Sequence, residues 1–315
     1  MASGSIKIFA GNSNLPLAKE VCGVLGISLG DAEVTRFSDS EIRINIRENV
    51  RGADVYVLQS TCTPANEHLM ELLVMLDALK RASAAEINAV IPYYGYGRQD
   101  RKDESRAPIT AKLVADLLHA AGATRVISMD LHAGQIQGFF NVPFDHLYAK
   151  PVLAKDMIDK FGDKSLVVVS PDAGGVERAR SYAKLLNAGL AIIDKRRTGP
   201  NVAQVMHIIG DVQDKDCVLL DDLIDTAGTI CEGARALRDK GARKIWAYAT
   251  HPVLSGPASE RLLAAPFEEI VVTDTIPLRP EAQRLKNLRQ LSVAPLIGRA
   301  VELVHKKDSL STLFA

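Results

Sequence analysis

No Gly-Lys dipeptide occurs anywhere in the chain, so the Gly-x-x-x-x-Gly-Lys-Ser/Thr nucleotide loop is excluded. Gly-x-Gly-x-x-Gly and His-Glu-x-x-His are also absent, and any nucleotide must be held by another device. Cysteine is scarce: Cys22, Cys62, Cys217 and Cys231 are scattered and form no Cys-x-x-Cys, which argues against disulfides and structural zinc and for small buried residues in a reducing compartment. Net charge is lacking too. Lys plus Arg and Asp plus Glu both total 38, so no overall field favours nucleic acid or an anionic membrane, and a phosphate site has to arise from local clustering. No apolar run approaches membrane-spanning length. Residues 1–12 lack a charged segment followed by an apolar one, so the expectation is a cytoplasmic protein without a signal peptide.

What is present is an ordinary globular composition, 47% hydrophobic and 24% charged, on 315 residues, enough for two domains. Strand patterns at 6–9, 41–47, 55–59, 87–92 and 126–129 alternate with helical patterns at 17–25, 67–82 and 109–121. Residues 94–107, with Gly95, Gly97 and charges of both signs, read as a mobile surface loop. The order then recurs, with helices at 149–160 and 176–186, strands at 166–169, 191–193, 202–209, 217–220 and 245–249, and a last helix at 296–306. Segments 54–60 and 87–92, with the helix between, match 216–222 and 245–250 in element order. This predicts an α/β fold of two duplicated domains, each a mainly parallel sheet flanked by helices. The expected domains are 1–147 and 148–305, with 306–315 packing back on the first.

The stretch 217–229 carries the clearest chemistry. An apolar strand pattern, 217–220, runs into Asp221 and Asp222, then Asp225, Thr226, Ala227, Gly228 and Thr229, then a helical pattern. Strand, tight turn and helix place a ligand at the carboxyl end of a parallel sheet. Amides of 226–229 at a helix start suit an anion such as phosphate. The two carboxylates repel phosphate and suit hydroxyls, or a metal-bound sugar, beside it. Together these describe a phosphorylated sugar. The first half has Gln59-Ser60 at the matching place, so it would have lost this site.

Other motifs are weaker alone. Asp130 and His132 follow the strand 126–129, where they suit a metal or metal-bound phosphates, or a plain turn. Ser170-Pro171-Asp172-Ala173-Gly174-Gly175 adds a carboxylate and two glycines, or is an ordinary turn with a helix cap. Lys195-Arg196-Arg197 before Gly199-Pro200 is either a solvated hairpin or a basic flap closing on polyphosphate. In 36–41, Phe37 suits stacking on a base, and Asp39 or Glu41 suits an adenine amino group; in 96–101, Arg98 suits phosphate.

Arg-Phe-Ser-Asp-x-Glu, Tyr-x-Arg-Gln-Asp, Asp-Leu-His-Ala, Ser-Pro-Asp-x-Gly-Gly, Asp-Lys-Arg-Arg and Asp-Asp-Leu-Ile-Asp-Thr-x-Gly-Thr occur in this order across the whole chain. In this the sequence resembles the ribose-phosphate pyrophosphokinases of the phosphate-activated class. The resemblance implies two phosphoribosyltransferase-type domains and Mg²⁺-dependent transfer of the diphosphoryl group of ATP to ribose 5-phosphate. It also implies a homohexamer, with inorganic phosphate as activator and ADP as inhibitor.

By motif, the resemblance places Phe37, Asp39, Ser40 and Glu41, with Arg98 and Gln99, on ATP. It puts His132, Asp172 and Asp130 near the metal, Asp221, Asp222 and 225–229 on ribose 5-phosphate, and Lys195 and Arg197 on the catalytic flap. Arg51, Ser105, Arg106, Ser309 and Ser311 would form the regulatory site. The competing readings are a phosphoribosyltransferase, which shares the sugar-phosphate turn but consumes the diphosphate, and a non-catalytic regulatory homologue.

Overall fold

The computed structural model describes residues 5–162, 165–196 and 205–314. These fall into two compact units: 1–148 with 275–277 and 292–315, and 149–274 with 278–291.

The first unit contains strands β1 (Ile6–Ala10), β2 (Ala32–Arg36), β3 (Ile42–Ile46), β4 (Asp54–Leu58), β5 (Glu86–Ile91), β6 (Arg125–Met129) and β7 (Phe144–Leu147). It also contains the helices α1 (Leu15–Leu25), α2 (Ala65–Arg81) and α3 (Thr110–Ala121), among others. Five strands form a sheet in the order β1-β4-β5-β6-β7, every neighbouring pair parallel. β2 and β3 form a separate antiparallel hairpin. Parallel strands need covered faces, and the buried runs Val55 to Leu58 and Ile87 to Ile91 supply the apolar surface. Helix α1 starts where the Asn14 side chain accepts from the Leu17 N–H at 3.3 Å and stops at Gly26, whose φ of 68° suits glycine.

The second unit contains α4 (Lys150–Phe161), β8 (Leu166–Ser170), α5 (Val176–Leu185), β9 (Gly189–Arg196), β10 (Val205–Ile209), β11 (Asp216–Ile224), α6 (Gly228–Asp239), β12 (Lys244–Pro252), α7 (Ala258–Leu263), β13 (Glu269–Thr273), α8 (Pro280–Gln283) and β14 (Leu288–Leu291). Its sheet runs β10-β9-β8-β11-β12-β13-β14, antiparallel only between β10 and β9. One core, including Val167, Val169, Leu219, Leu237, Ile245 and Ile270, lies under it. The Arg289 guanidinium bonds both carboxylate oxygens of Asp156 at 2.6 and 2.8 Å and Glu269 at 3.1 Å, tying α4 to β13 and β14. Burial raises the Asp156 pKa, but hydrogen bonds from Arg289 and Tyr248 outweigh it and hold the carboxyl below its usual range.

The duplication is explicit in the topology. β1-β4-β5-β6-β7 matches β8-β11-β12-β13-β14 strand for strand, and a hairpin, β2–β3 or β9–β10, stands at the same place in each repeat. The helix closing the second repeat, α9 (Ala294–Lys306), belongs to the first unit, although its place in the sequence predicted the second. It packs on α1 closely enough that a Cβ on Gly298 would sit 2.7 Å from Val24 Cγ1, and its Val301 carbonyl accepts from Tyr56 Oη at 3.5 Å.

Two expectations need correction. The strand predicted over 217–220 runs to Ile224, because β12 continues the ladder through Ile224 opposite Pro252. The start of the 94–107 loop is not surface: Tyr94 is buried and donates from Oη to Ala111 O at 2.9 Å, and a Cβ on Gly95 would meet Thr61 O at 2.2 Å.

Candidate active site

β11 outruns one of its neighbours. Its pairing with β8 ends at Leu219 opposite Val169, while its pairing with β12 continues to Ile224. Asp221 and Asp222 therefore lie on the strand beyond the edge of β8. From α5, Arg178 Nη1 reaches Asp222 Oδ1 at 3.1 Å and Asp221 Oδ1 at 3.6 Å. The Asp222 N–H donates to Asp221 Oδ1 at 2.9 Å. Asp222 is buried, whereas the Asp221 side chain keeps 21% of its surface exposed. Burial, then the neighbouring Asp222 carboxylate, push the Asp221 pKa well above the usual carboxylate range, and Arg178 acts against the rise.

The turn after β11 is fastened from the segment that follows β12. Leu254 N–H donates to Ile224 O at 2.9 Å and Ser255 N–H to Asp225 O at 3.1 Å. Ser255 Oγ also donates to Asp225 Oδ1, and Arg261 Nη1 to Thr226 O at 3.0 Å. Ala227 then takes φ 58° and ψ 9°, a left-handed conformation unusual for a residue with a Cβ, and α6 begins at Gly228. No side chain caps α6 at Ala227, so the leading amides of the helix present donors and the positive end of the dipole. A carboxylate pair, a rigid turn and an anion-seeking helix start follow one another within residues 221–229.

Asp172, on the neighbouring strand end, is exposed, and its Oδ1 accepts from Gly175 N–H at 3.0 Å while Ser170 Oγ donates to Asp172 O at 2.7 Å. The loop is thus folded by its own side chains. Of the expected flap, Lys195 lies on β9 opposite Met206 and Arg196 opposite Val205, while Arg197 lies outside the described residues.

In the first unit the β2–β3 hairpin turns through Phe37, Asp39, Ser40 and Glu41. Phe37 N–H donates to Glu41 O at 2.9 Å, Ser40 has φ 74°, and Glu41 N–H donates to Asp39 Oδ1 at 3.1 Å. Phe37 is 52% exposed, and the Arg43 guanidinium carbon lies 5.7 Å from its ring centroid, leaving aromatic surface for a planar ligand. Arg98 and Gln99 are exposed; Thr110 Oγ1 donates to Gln99 Oε1 at 2.5 Å, fixing the chain at the start of α3. Asp130 follows β6 with φ 38°, and His132 is exposed two residues on. The regulatory candidates form local contacts: Arg51 N–H donates to Asn49 Oδ1 at 3.0 Å, and Ser309 and Ser311 hydroxyls lie 2.8 Å apart. Ser105 and Arg106 are exposed, Arg106 with φ 67°.

Four contributors escape sequence reasoning: Arg178, Arg261, Ser255 and Arg43. Each acts on residues distant in sequence or across a hairpin, and no local spacing marks it. Only Arg178 leaves a trace, as a cation just inside the helix that follows Gly174-Gly175.

A family model described as the N-terminal domain of ribose phosphate pyrophosphokinase matches residues 6–122. Another, described as the phosphoribosyl synthetase-associated domain, matches residues 196–315. The ribose-phosphate pyrophosphokinase of Caldanaerobacter subterraneus subsp. tengcongensis is 61% identical over 312 residues, covering 99% of this chain and 98% of that protein. That of Bacillus subtilis is 56% identical over 311 residues, with the same coverage of 99% and 98%. The chain belongs to the ribose-phosphate pyrophosphokinase family. The crystal structure of phosphoribosylpyrophosphate synthetase from Mycobacterium smegmatis matches it with a TM-score of 0.92 at 42% identity, covering 96% of this chain and 99% of that one.

Membership in the pyrophosphokinase family extends over both units, which sets aside the reading as a phosphoribosyltransferase of one domain. Among the described residues no helix is long and apolar enough to cross a membrane. Nor do the described residues contain a group of three or more His, Cys, Asp and Glu able to hold a metal ion on its own.

Proposed function

We propose that the β11–α6 stretch binds ribose 5-phosphate for the family's reaction: transfer of the β,γ-diphosphoryl group of ATP to the 1-hydroxyl, giving 5-phospho-α-D-ribose 1-diphosphate and AMP. The observation that carries this reading is the arrangement of 221–229, with carboxylates before the turn and bare helix amides after it. Asp221 and Asp222 accept from the ribose hydroxyls, with Arg178 keeping both carboxylates in place. The N–H groups of 226–229 receive the 5-phosphate, where a helix start favours an anion.

ATP belongs to the other set. Phe37 stacks on adenine while Asp39, Ser40 and Glu41 read its edge, in a homohexamer from a neighbouring subunit, and Arg98 and Gln99 contact the nucleotide. Lys195 and Arg197 act on charge that grows on the leaving AMP oxygen. Such groups are most effective when water is excluded and they need not reorganise during the reaction. The chain forms no covalent intermediate in this scheme; it aligns the sugar oxygen with the β-phosphorus and stabilises charge.

The donor set suits Mg²⁺. This ion keeps most of its shell as water and substrate phosphate and takes one or two protein ligands, in contrast to ions held in complete protein cages. Asp130 and His132 at one strand end and Asp172 at another are such sparse donors, in keeping with a metal that arrives on ATP. When bound, Mg²⁺ neutralises polyphosphate charge. Inorganic phosphate as activator and ADP as inhibitor fit Arg51, Ser105, Arg106, Ser309 and Ser311.

Phosphorus NMR of ATP mixed with the protein tests the reading, with and without ribose 5-phosphate and inorganic phosphate. AMP and the sugar diphosphate should form together, only when the sugar is present. No AMP, or AMP formed regardless of the sugar, would refute it.

A further inference from the structure

The turn that carries Asp130 and His132 is held by a side chain with no assigned role. β6 ends at Met129, and Asp130 adopts φ 38°, which residues with a Cβ seldom take. Two hydrogen bonds accompany this conformation. Asp130 N–H donates to Leu147 O at 2.9 Å, continuing the β6–β7 ladder by one step. Leu131 N–H donates to His146 Nε2 at 3.0 Å. The second bond comes from a side chain and fixes the peptide directly between the two candidate ligands. An acceptor at Nε2 means that the neutral ring carries its proton on Nδ1.

The ring is itself positioned from the C-terminus. His146 lies against Tyr148, ring centroids 4.4 Å apart and planes inclined by 37°. Tyr148 meets the edge of Phe314 at 5.4 Å and 87°. Phe314 closes a short helical turn, 310–313, whose start is capped where Ser311 N–H donates to Ser309 Oγ at 3.3 Å. Three aromatic rings in series thus join the C-terminal turn to one backbone amide, all within the first unit.

We propose that His146 is a positioning residue for the Asp130–His132 turn, and that Phe314, through Tyr148, sets the His146 ring. This rests on the reading that Asp130 and His132 serve metal-bound ATP. The imidazole contributes two properties at once, an acceptor for the amide and a flat face for the tyrosine. A change in the packing of the C-terminal turn then reaches the ATP-facing turn without any movement of the sheet.

The test compares His146→Leu, His146→Gln and Phe314→Ala, with His132→Ala as control. Leu keeps bulk without an acceptor; Gln keeps an acceptor near the Nε2 position. The first readout is amide hydrogen exchange in the peptide containing Leu131, measured without ligand, alongside a thermal melt that shows each variant is folded. The second is calorimetric binding of Mg²⁺ with a non-hydrolysable ATP analogue. For His146→Leu, exchange at Leu131 should accelerate roughly tenfold, the scale of one lost hydrogen bond. Analogue affinity should fall several-fold, with the KM for ribose 5-phosphate unchanged. Gln should restore most of both, and Phe314→Ala should shift both in the Leu direction by less.

Equal damage by Gln and Leu, or unchanged Leu131 exchange in His146→Leu or Phe314→Ala, would overturn the proposal. If His132→Ala weakens the analogue and His146→Leu does not, positioning fails while the metal reading stands. If His132→Ala leaves binding untouched, the metal reading fails instead, and with it the proposal's link to ATP.

Discussion

The two repeats end their second sheet strands in opposite ways. After β4, Gln59, Ser60 and Thr61 are all buried, and their side chains are consumed internally. Gln59 Oε1 accepts from Ser13 N–H at 3.1 Å and Ser13 Oγ at 2.7 Å, and its Nε2 donates to Glu71 Oε2 at 2.8 Å. Ser60 Oγ donates to Thr275 O at 2.6 Å, and Thr61 Oγ1 accepts from Gly95 N–H at 2.6 Å. At the end of β11, the corresponding place holds the Asp221–Asp222 pair on the strand itself, followed by a left-handed Ala227 and a helix with no side-chain cap. One strand end has become a closed polar core and the other is the proposed ribose 5-phosphate site. A duplicated fold therefore tells little about where a ligand binds; hydrogen-bond saturation at the strand end tells a great deal.

The hairpins extend the contrast. β2–β3 bears an exposed aromatic and acidic tip, whereas β9 ends in Lys195 and Arg196, with Arg197 next in sequence. If the second is the catalytic flap, its cations act mainly in the transition state. Lys195→Ala or Arg197→Ala should lower kcat by roughly 10²–10³, the scale for losing one preorganised charge contact. KM values should move only several-fold. Steady-state kinetics check this, and a pure KM effect would break the assignment. Arg196→Ala belongs at the small end of the scale, because alternate residues on an extended segment face opposite ways.

The closed strand end should respond through stability instead. Gln59→Ala leaves the buried Glu71 carboxylate and Ser13 short of a partner, which costs about 1–3 kcal/mol. Denaturant melts should show that loss, with kcat of the remaining folded enzyme near wild type. A neutral melt would mean that the cluster is less coupled than its geometry implies.

A smaller, pH-dependent effect sharpens the comparison further. The folded Asp221 pKa lies above its unfolded value, near about 4 for an ordinary aspartate. Its contribution to stability is therefore complete below that ordinary value and lost as pH rises through the raised one. Sugar binding through the ionised acceptor has the opposite slope and strengthens over the same window. Asp222→Asn removes the neighbouring negative charge and should move both transitions to lower pH. Calorimetric titrations with ribose 5-phosphate across that window decide it; an unmoved midpoint would contradict the cause assigned here.

Much of this was legible in the sequence because it is local. The order apolar run, acid pair, Thr-x-Gly-Thr predicted a strand, turn and helix, and these are β11 and α6. The predicted end of that strand was early because carboxylates seldom sit inside a ladder; β12 and Arg178 make it possible. β2, β7, β13 and β14 went unread, and β2 and β14 show why: each is short and only partly buried, so alternation is weak. The left-handed Ala227 is invisible to residue-type reasoning, which expects glycine there. Arg178 and Ser255 depend on long-range contacts that no spacing encodes.

Ribose 5-phosphate is proposed to bind at the end of β11 and not at its counterpart after β4. Calorimetric titration of ribose 5-phosphate into wild type, Asp221→Ala and Gln59→Ala measures it directly. Loss of an ionised acceptor, about 1.5–3 kcal/mol, should weaken binding by about tenfold or more in Asp221→Ala, while Gln59→Ala binds as wild type does. Unchanged affinity in Asp221→Ala, or a loss confined to Gln59→Ala, would contradict it.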